Sequence, residues 1–177
     1  LEVIAELPEP PGNIAVSKSG RIFVTLHPEA KPSFHVGELI DGKLKPFPDQ
    51  ASQKELFHAP QGIRVDRQNR LWTIDHADSA QGTPRLLAFD VDTGKEVHRF
   101  DFDSKLAPIG SYLQDLVISP DGKTVYIADA SFFRKAPAIV IYDLATKAAR
   151  RVLEDDPSVM AQNFMISTYA GPSTRMG

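Results

Sequence analysis

Three dipeptides stand at matching places along the 177 residues: Gly12-Asn13, Gln61-Gly62 and Gln114-Asp115. Each leads into a short apolar run, Ile14-Ala15-Val16, Ile63-Arg64-Val65 and Leu116-Val117-Ile118. Asn13, Gln61 and Gln114 offer neutral amides, and Asp115 adds one carboxylate. Such a set, offered from three sides, suits hydrogen bonding to a polar or cationic small molecule. Its oxygens would also suit a hard divalent cation such as calcium. The same side chains would equally serve to cap strand ends and satisfy backbone groups.

Other residues with chemical potential recur with the same spacing. Asp75 and Asp129 each lie three positions after an aromatic, Trp72 and Tyr126, where a repeated aspartate stabilises a turn. His27 and His76 are equivalent, and Ala130 fills the third slot. A histidine pair can bind a metal or move protons, but this spacing places the two on neighbouring repeats and predicts a polar contact between them. Phe132-Phe133-Arg134-Lys135 reads as a surface loop whose aromatics tuck onto the underlying sheet. Gly122-Lys123-Thr124 has Val117 where a phosphate loop needs its upstream glycine. Asp90-Val91-Asp92-Thr93-Gly94 is too short for an EF-hand. No Gly-x-Ser-x-Gly elbow or His-Glu-x-x-His sequence occurs.

The elements that position these residues follow from repetition. Phe23, Trp72 and Tyr126 each sit in an alternating run that follows a Gly, Asn or Asp turn, at intervals of 49 and 54 residues. All three read as core. A second hairpin follows each pair of runs, for example Leu86–Asp90 through Asp92-Thr93-Gly94-Lys95 into Val97–Phe100. Four short strands per roughly 50 residues is the spacing of β-propeller blades. The fold class is therefore all-β: a β-propeller of four-stranded blades, about three present, half of a longer ring that the family resemblance given below implies to be six-bladed. The expected boundaries are 12–48, 58–102 and 112–153 for the blades. Residues 1–7 read as a closing outer strand and 154–177 as an inter-blade tail. Two end faces of unpacked sheet would remain, which predicts self-association or a second half that completes the ring.

Composition removes several classes. A formal net charge of −3 and a pI near 5.9 argue against nucleic-acid binding. The longest apolar run, Ala136–Tyr142, is far short of the roughly twenty residues of a membrane helix. The absence of cysteine excludes disulfides and Cys-ligated metal centres.

The repeats resemble the royal jelly/yellow protein family in its bacterial branch. Pro11–Val16 with Gly20–His27 looks like the first blade of that family, Leu71–Asp75 like the second, and Tyr112–Ile118 with Val125–Asp129 like the third. The likeness runs from about Leu1 to Val159. It implies kinship with the six-bladed gluconolactonase (SMP-30) propellers, and a small polar or aromatic ligand held in the axial channel, as insect salivary relatives hold aromatic amines. Asn13, Gln61, Gln114 and Asp115 are the expected ligand-binding residues. The alternative is a lactonase-like hydrolase or a dopachrome-tautomerase-like isomerase with an axial divalent metal. Gly12 stands where the lactonase relatives carry a metal-binding glutamate, and Gln114 where they carry an asparagine. A third reading is a protein-interaction scaffold. The family's habits, with Leu1 in place of an initiator methionine, imply a secreted or periplasmic location.

Overall fold

The computed structural model describes residues 2–162 and, beyond them, the backbone of two short strands, Met165–Ile166 and Thr174–Arg175, which pair antiparallel. Twelve strands form three antiparallel sheets, each laid down in chain order. The first comprises β1 (Pro11–Val16), β2 (Ile22–Leu26), β3 (Val36–Ile40) and β4 (Lys43–Pro46). The second comprises β5 (Pro60–Val65), β6 (Arg70–Asp75), β7 (Arg85–Asp90) and β8 (Glu96–Asp101). The third comprises β9 (Leu113–Ile118), β10 (Thr124–Asp129), β11 (Ala138–Asp143) and β12 (Ala149–Val152). These are three propeller blades. No helix among the described residues is long and apolar enough to cross a membrane.

One polar device repeats at the tight turn between the first two strands of each blade. Ser17, Asp66 and Ser119 occupy the same place, and each side chain accepts a backbone amide from the start of the next strand: Arg21 N–H at 3.0 Å, Arg70 N–H at 3.0 Å and Thr124 N–H at 2.9 Å. Each turn thereby closes without leaving buried backbone groups unpaired. Asp66 does more, since its second oxygen accepts the Trp72 Nε1–H at 2.7 Å. The outer turns use Asp90 and Asp143 in the same way, with Thr93 and Thr146 as donors.

The cores lie between blades. Phe23 and Phe47 of blade 1 pack with Ile63, Leu71, Leu87 and Phe89 of blade 2. Trp72, Ile74 and Leu86 of blade 2 pack with Leu116, Val125, Ile127 and Tyr142 of blade 3. Burial of these side chains away from water holds the blades together. The connection from blade 1 to blade 2 is pinned by Gln53, on the single-turn helix α1 (Gln53–Leu56). Its buried amide accepts from His35 N–H and Val36 N–H and donates to Val36 O and Phe47 O.

Two expectations need correction. Residues 2–7 form no strand, and β1 begins at Pro11. A strand exists through its ladder, and no described strand pairs with that segment. Tyr126 is not core, being 43% exposed. Phe23 and Trp72 each face the following blade, and Tyr126 stands on the equivalent face of the third. With Val117, its partner across the ladder and 58% exposed, it forms an open apolar face. Ile14 and Val16 are exposed on the far side of blade 1.

Candidate functional site

Antiparallel order puts the starts of β1, β5 and β9 at the same end as the ends of β2, β6 and β10. The turns at the opposite end are short. The connections at this end are long: 27–35, 76–84 and 130–137, one from each blade. Each of the three inner strands also carries an irregularity here. One extra residue stands in β5 at Gln61, in β9 at Gln114, and in β1 within Gly12-Asn13. A β-bulge re-aims the side chains around it, so the predicted residues lie where the backbone departs from regular pairing.

The structure brings these positions together, with roles more structural than expected. The Asn13 side chain donates to Gln61 O at 3.2 Å, and Thr25 Oγ1 donates to the same carbonyl at 2.8 Å, tying blade 1 to blade 2. Gly62 packs against the backbone of β9; a Cβ there would lie 2.8 Å from both Asp115 Cα and Gln114 O. Gln114 is exposed. Asp115 accepts from Arg64 Nη2 at 2.6 Å and from its neighbour Leu116 N–H at 2.8 Å. Gln61 is buried, and its Oε1 accepts the Tyr112 hydroxyl at 2.5 Å.

The Gln61–Tyr112 bond leads to the site itself. Pro28 and Glu29 from the first connection, His76, Asp78, Ser79 and Gln81 from the second, Tyr112 ahead of β9, and Phe133 from the third line one open cleft of about 250 Å³. Phe132 and Phe133 are 68% and 72% exposed and meet each other edge-on, so the pair does not tuck onto the blade. Repeated aspartates anchor the walls. Asp75 accepts from His58 N–H, Ala59 N–H and Ala77 N–H. Asp129 accepts from Tyr112 N–H and Ser131 N–H, and its other oxygen meets the buried Arg151 guanidinium at 2.8 Å. Both act as the turn acceptors their position predicts.

The second connection has unusual backbone. Ala77, Asp78, Ser79 and Ala80 all have φ between 45° and 61°. A left-handed turn of non-glycine residues costs about 1–2 kcal/mol per residue, and such strain persists only where surroundings over-determine it. Here Ala77 N–H bonds Asp75, Ser79 N–H donates to His76 Nδ1 at 3.1 Å, and Gly110 N–H donates to Ser79 O at 2.8 Å. The Asp78 carboxylate meets His58 Nε2 at 2.7 Å. His76 is thus fixed at the base of the turn, its ring tilted over Tyr112 with centroids 4.2 Å apart. The contact joins blade 2 to blade 3; the histidine's partner is Tyr112 rather than His27.

Burial lowers the His76 pKa below the ordinary 6.5, outweighing the opposite pull of Asp75, Asp78 and Glu29. With Nδ1 accepting a backbone amide, the neutral ring carries its proton on Nε2. Burial, then Glu29, raises the Tyr112 pKa above 10, so the phenol stays protonated. The cleft therefore combines an aromatic wall, a neutral imidazole and two carboxylates.

A divalent cation does not fit the predicted residues. Asp115, the one carboxylate in the set, is already neutralised by Arg64, and an ion beside it would face a guanidinium. Among the described residues no group of three or more histidine, aspartate or glutamate side chains is arranged to hold a metal.

Comparison with known proteins gives a family and a fold. Residues 59–169 match the family model described as Major royal jelly protein. No curated protein matches the chain. Among solved structures, hydrazine synthase of Kuenenia stuttgartiensis aligns with a TM-score of 0.54 at 18% identity, over 85% of this chain and 37% of that one. A nidogen/laminin complex aligns with a TM-score of 0.56 at 18% identity, over 82% of this chain and 49% of that one. An auxiliary nutrient binding protein from Bacteroides ovatus gives 0.54 at 13% identity, over 82% and 32%. At such identities the likeness shows the propeller fold alone. The chain spans less than half the length of each.

Proposed function

The chain belongs to the major royal jelly protein family, and from that premise we propose that it holds a small polar or aromatic molecule in the cleft at the mouth of its axial channel. The observation that carries this reading is convergence: equivalent connections from three blades, with Tyr112, line one open cleft. Tyr112 and Phe133 supply flat aromatic surface. Glu29 and Asp78 supply negative charge, which suits a ligand with a cationic group on a ring. The family's amine-binding members support the same class of ligand. Gln61 acts one step back by fixing the Tyr112 hydroxyl, while Asn13 joins two blades and Asp115 pairs with Arg64.

The test is calorimetric titration of the protein with arylalkylamines and with sugar lactones. Saturable heat from the amines that weakens in Phe133→Ala supports the cleft. Absence of heat from both classes, or binding indifferent to Phe133 and Glu29, rejects it.

A further inference from the structure

Four buried side-chain atoms among the described residues lack a hydrogen-bond partner: His35 Nδ1, Thr73 Oγ1, His76 Nε2 and Ser111 Oγ. Of these residues only His76 lines the cleft. It is 5% exposed, and its ring cannot turn to find a partner elsewhere. Ser79 N–H occupies Nδ1, Tyr112 covers a ring face, and the strained turn holds the main chain. A buried donor without an acceptor costs stability and is uncommon in folded proteins.

We propose that His76 is the polar anchor of the cleft: its Nε2–H donates to an acceptor atom on the ligand, so flat molecules bearing a carbonyl, hydroxyl or ring-nitrogen acceptor bind in preference to those without one. The inference rests on the cleft being the ligand site and adds the chemistry that selects among ligands. Nε2 is shielded from water, so an acceptor on the ligand reaches it through a local shift of the cleft wall. The stranded proton then becomes a specificity device. A ligand with an acceptor completes the hydrogen bond, and one lacking it leaves the donor buried and unpaired.

Two substitutions separate this role from a structural one. In His76→Asn the shorter amide can still accept from Ser79 N–H and keep the turn, but no donor reaches the Nε2 position. His76→Gln restores a donor near that position and loses the turn contact. The probes are two arylethylamines identical except for one ring hydroxyl, titrated at neutral pH. The wild type is expected to bind the hydroxylated probe about tenfold more tightly. His76→Asn should abolish that preference while changing the other probe by about twofold or less, and His76→Gln should regain part of it. A preference unchanged in His76→Asn, an equal loss for both probes, or no preference in the wild type overturns the proposal and leaves the cleft reading standing. No binding of either probe to the wild type removes both. Independently of any ligand, imidazole nitrogen–proton correlation spectra should show His76 as the Nε2–H tautomer; a proton on Nδ1 overturns the assignment.

Discussion

Asp129 is the joint on which the third blade and the cleft both depend, and removing its carboxylate should be among the most damaging single changes in the chain. Asp129 is fully buried and Arg151 is 5% exposed. In Asp129→Ala the guanidinium keeps Leu106 O and the partly exposed Glu154 but loses its buried counter-charge. Stranding one partner of a buried pair costs about 3–5 kcal/mol. Tyr112 N–H and Ser131 N–H lose their acceptor as well, at about 1–3 kcal/mol for each donor left unpaired. These contributions overlap, and Glu154 offsets part of the first, so the expected loss is about 4–6 kcal/mol. That is a large share of the roughly 5–15 kcal/mol that keeps a domain folded. Urea denaturation followed by the Trp72 fluorescence measures it. Asp75→Ala is the control: it strands three amides at the equivalent turn with no buried cation, and should cost less. Two results refute the reasoning: a loss below about 1 kcal/mol for Asp129→Ala, or an equal loss at Asp75.

Three further outcomes follow from the geometry. Gly62→Ala forces a methyl against the β9 backbone and should destabilise by about 1–3 kcal/mol, read from the same urea curves; a neutral effect means the inner strands are not in contact. Burial is the largest influence lowering the pKa values of His35, His76 and His98 below 6.5. The unfolded chain therefore binds more protons as pH falls past about 6.5. Stability is full above that pH and declines below it through the folded-state values, and His76→Asn should flatten part of the decline in unfolding midpoints measured from about pH 7.5 to 5.5. Phe133→Ala should weaken arylalkylamine binding yet leave the unfolding midpoint within about 0.5 kcal/mol, because an exposed aromatic buries little on folding.

Much of the architecture was legible because each blade repeats the same local rules. Alternating apolar runs, a Gly, Asn or Asp turn between them, and an aspartate at the end of the second strand in two of the three repeats are the cues; the sheets themselves span 11–46, 60–101 and 113–152. The starts of the inner strands were also readable, since Gly12-Asn13, Gln61-Gly62 and Gln114-Asp115 recur at matching places; the close backbone approach at Gly62 was not. Orientation beyond a blade was not. Arg64 neutralises Asp115 from 51 positions away, and no local spacing announces such a partner. Tyr126 matched Phe23 and Trp72 in register, but burial depends on what lies against that face. The cleft was missed because its residues sit in connections with no common motif. The left-handed turn that seats His76 contains no glycine, so Ala77-Asp78-Ser79-Ala80 carries no sign of its backbone; the doublet Asp75-His76 was the one usable cue.

The two ends of each blade divide labour. Short, hydrogen-bonded turns at one end define the joints, while the opposite end presents Glu29, Gln81 and Phe133 as exposed tips on separate loops. Those side chains are exposed and bury little on folding, so their identities can be exchanged one at a time with little penalty to the folded body. A designer wishing to change what this propeller receives would leave every strand alone and redraft three short stretches of surface.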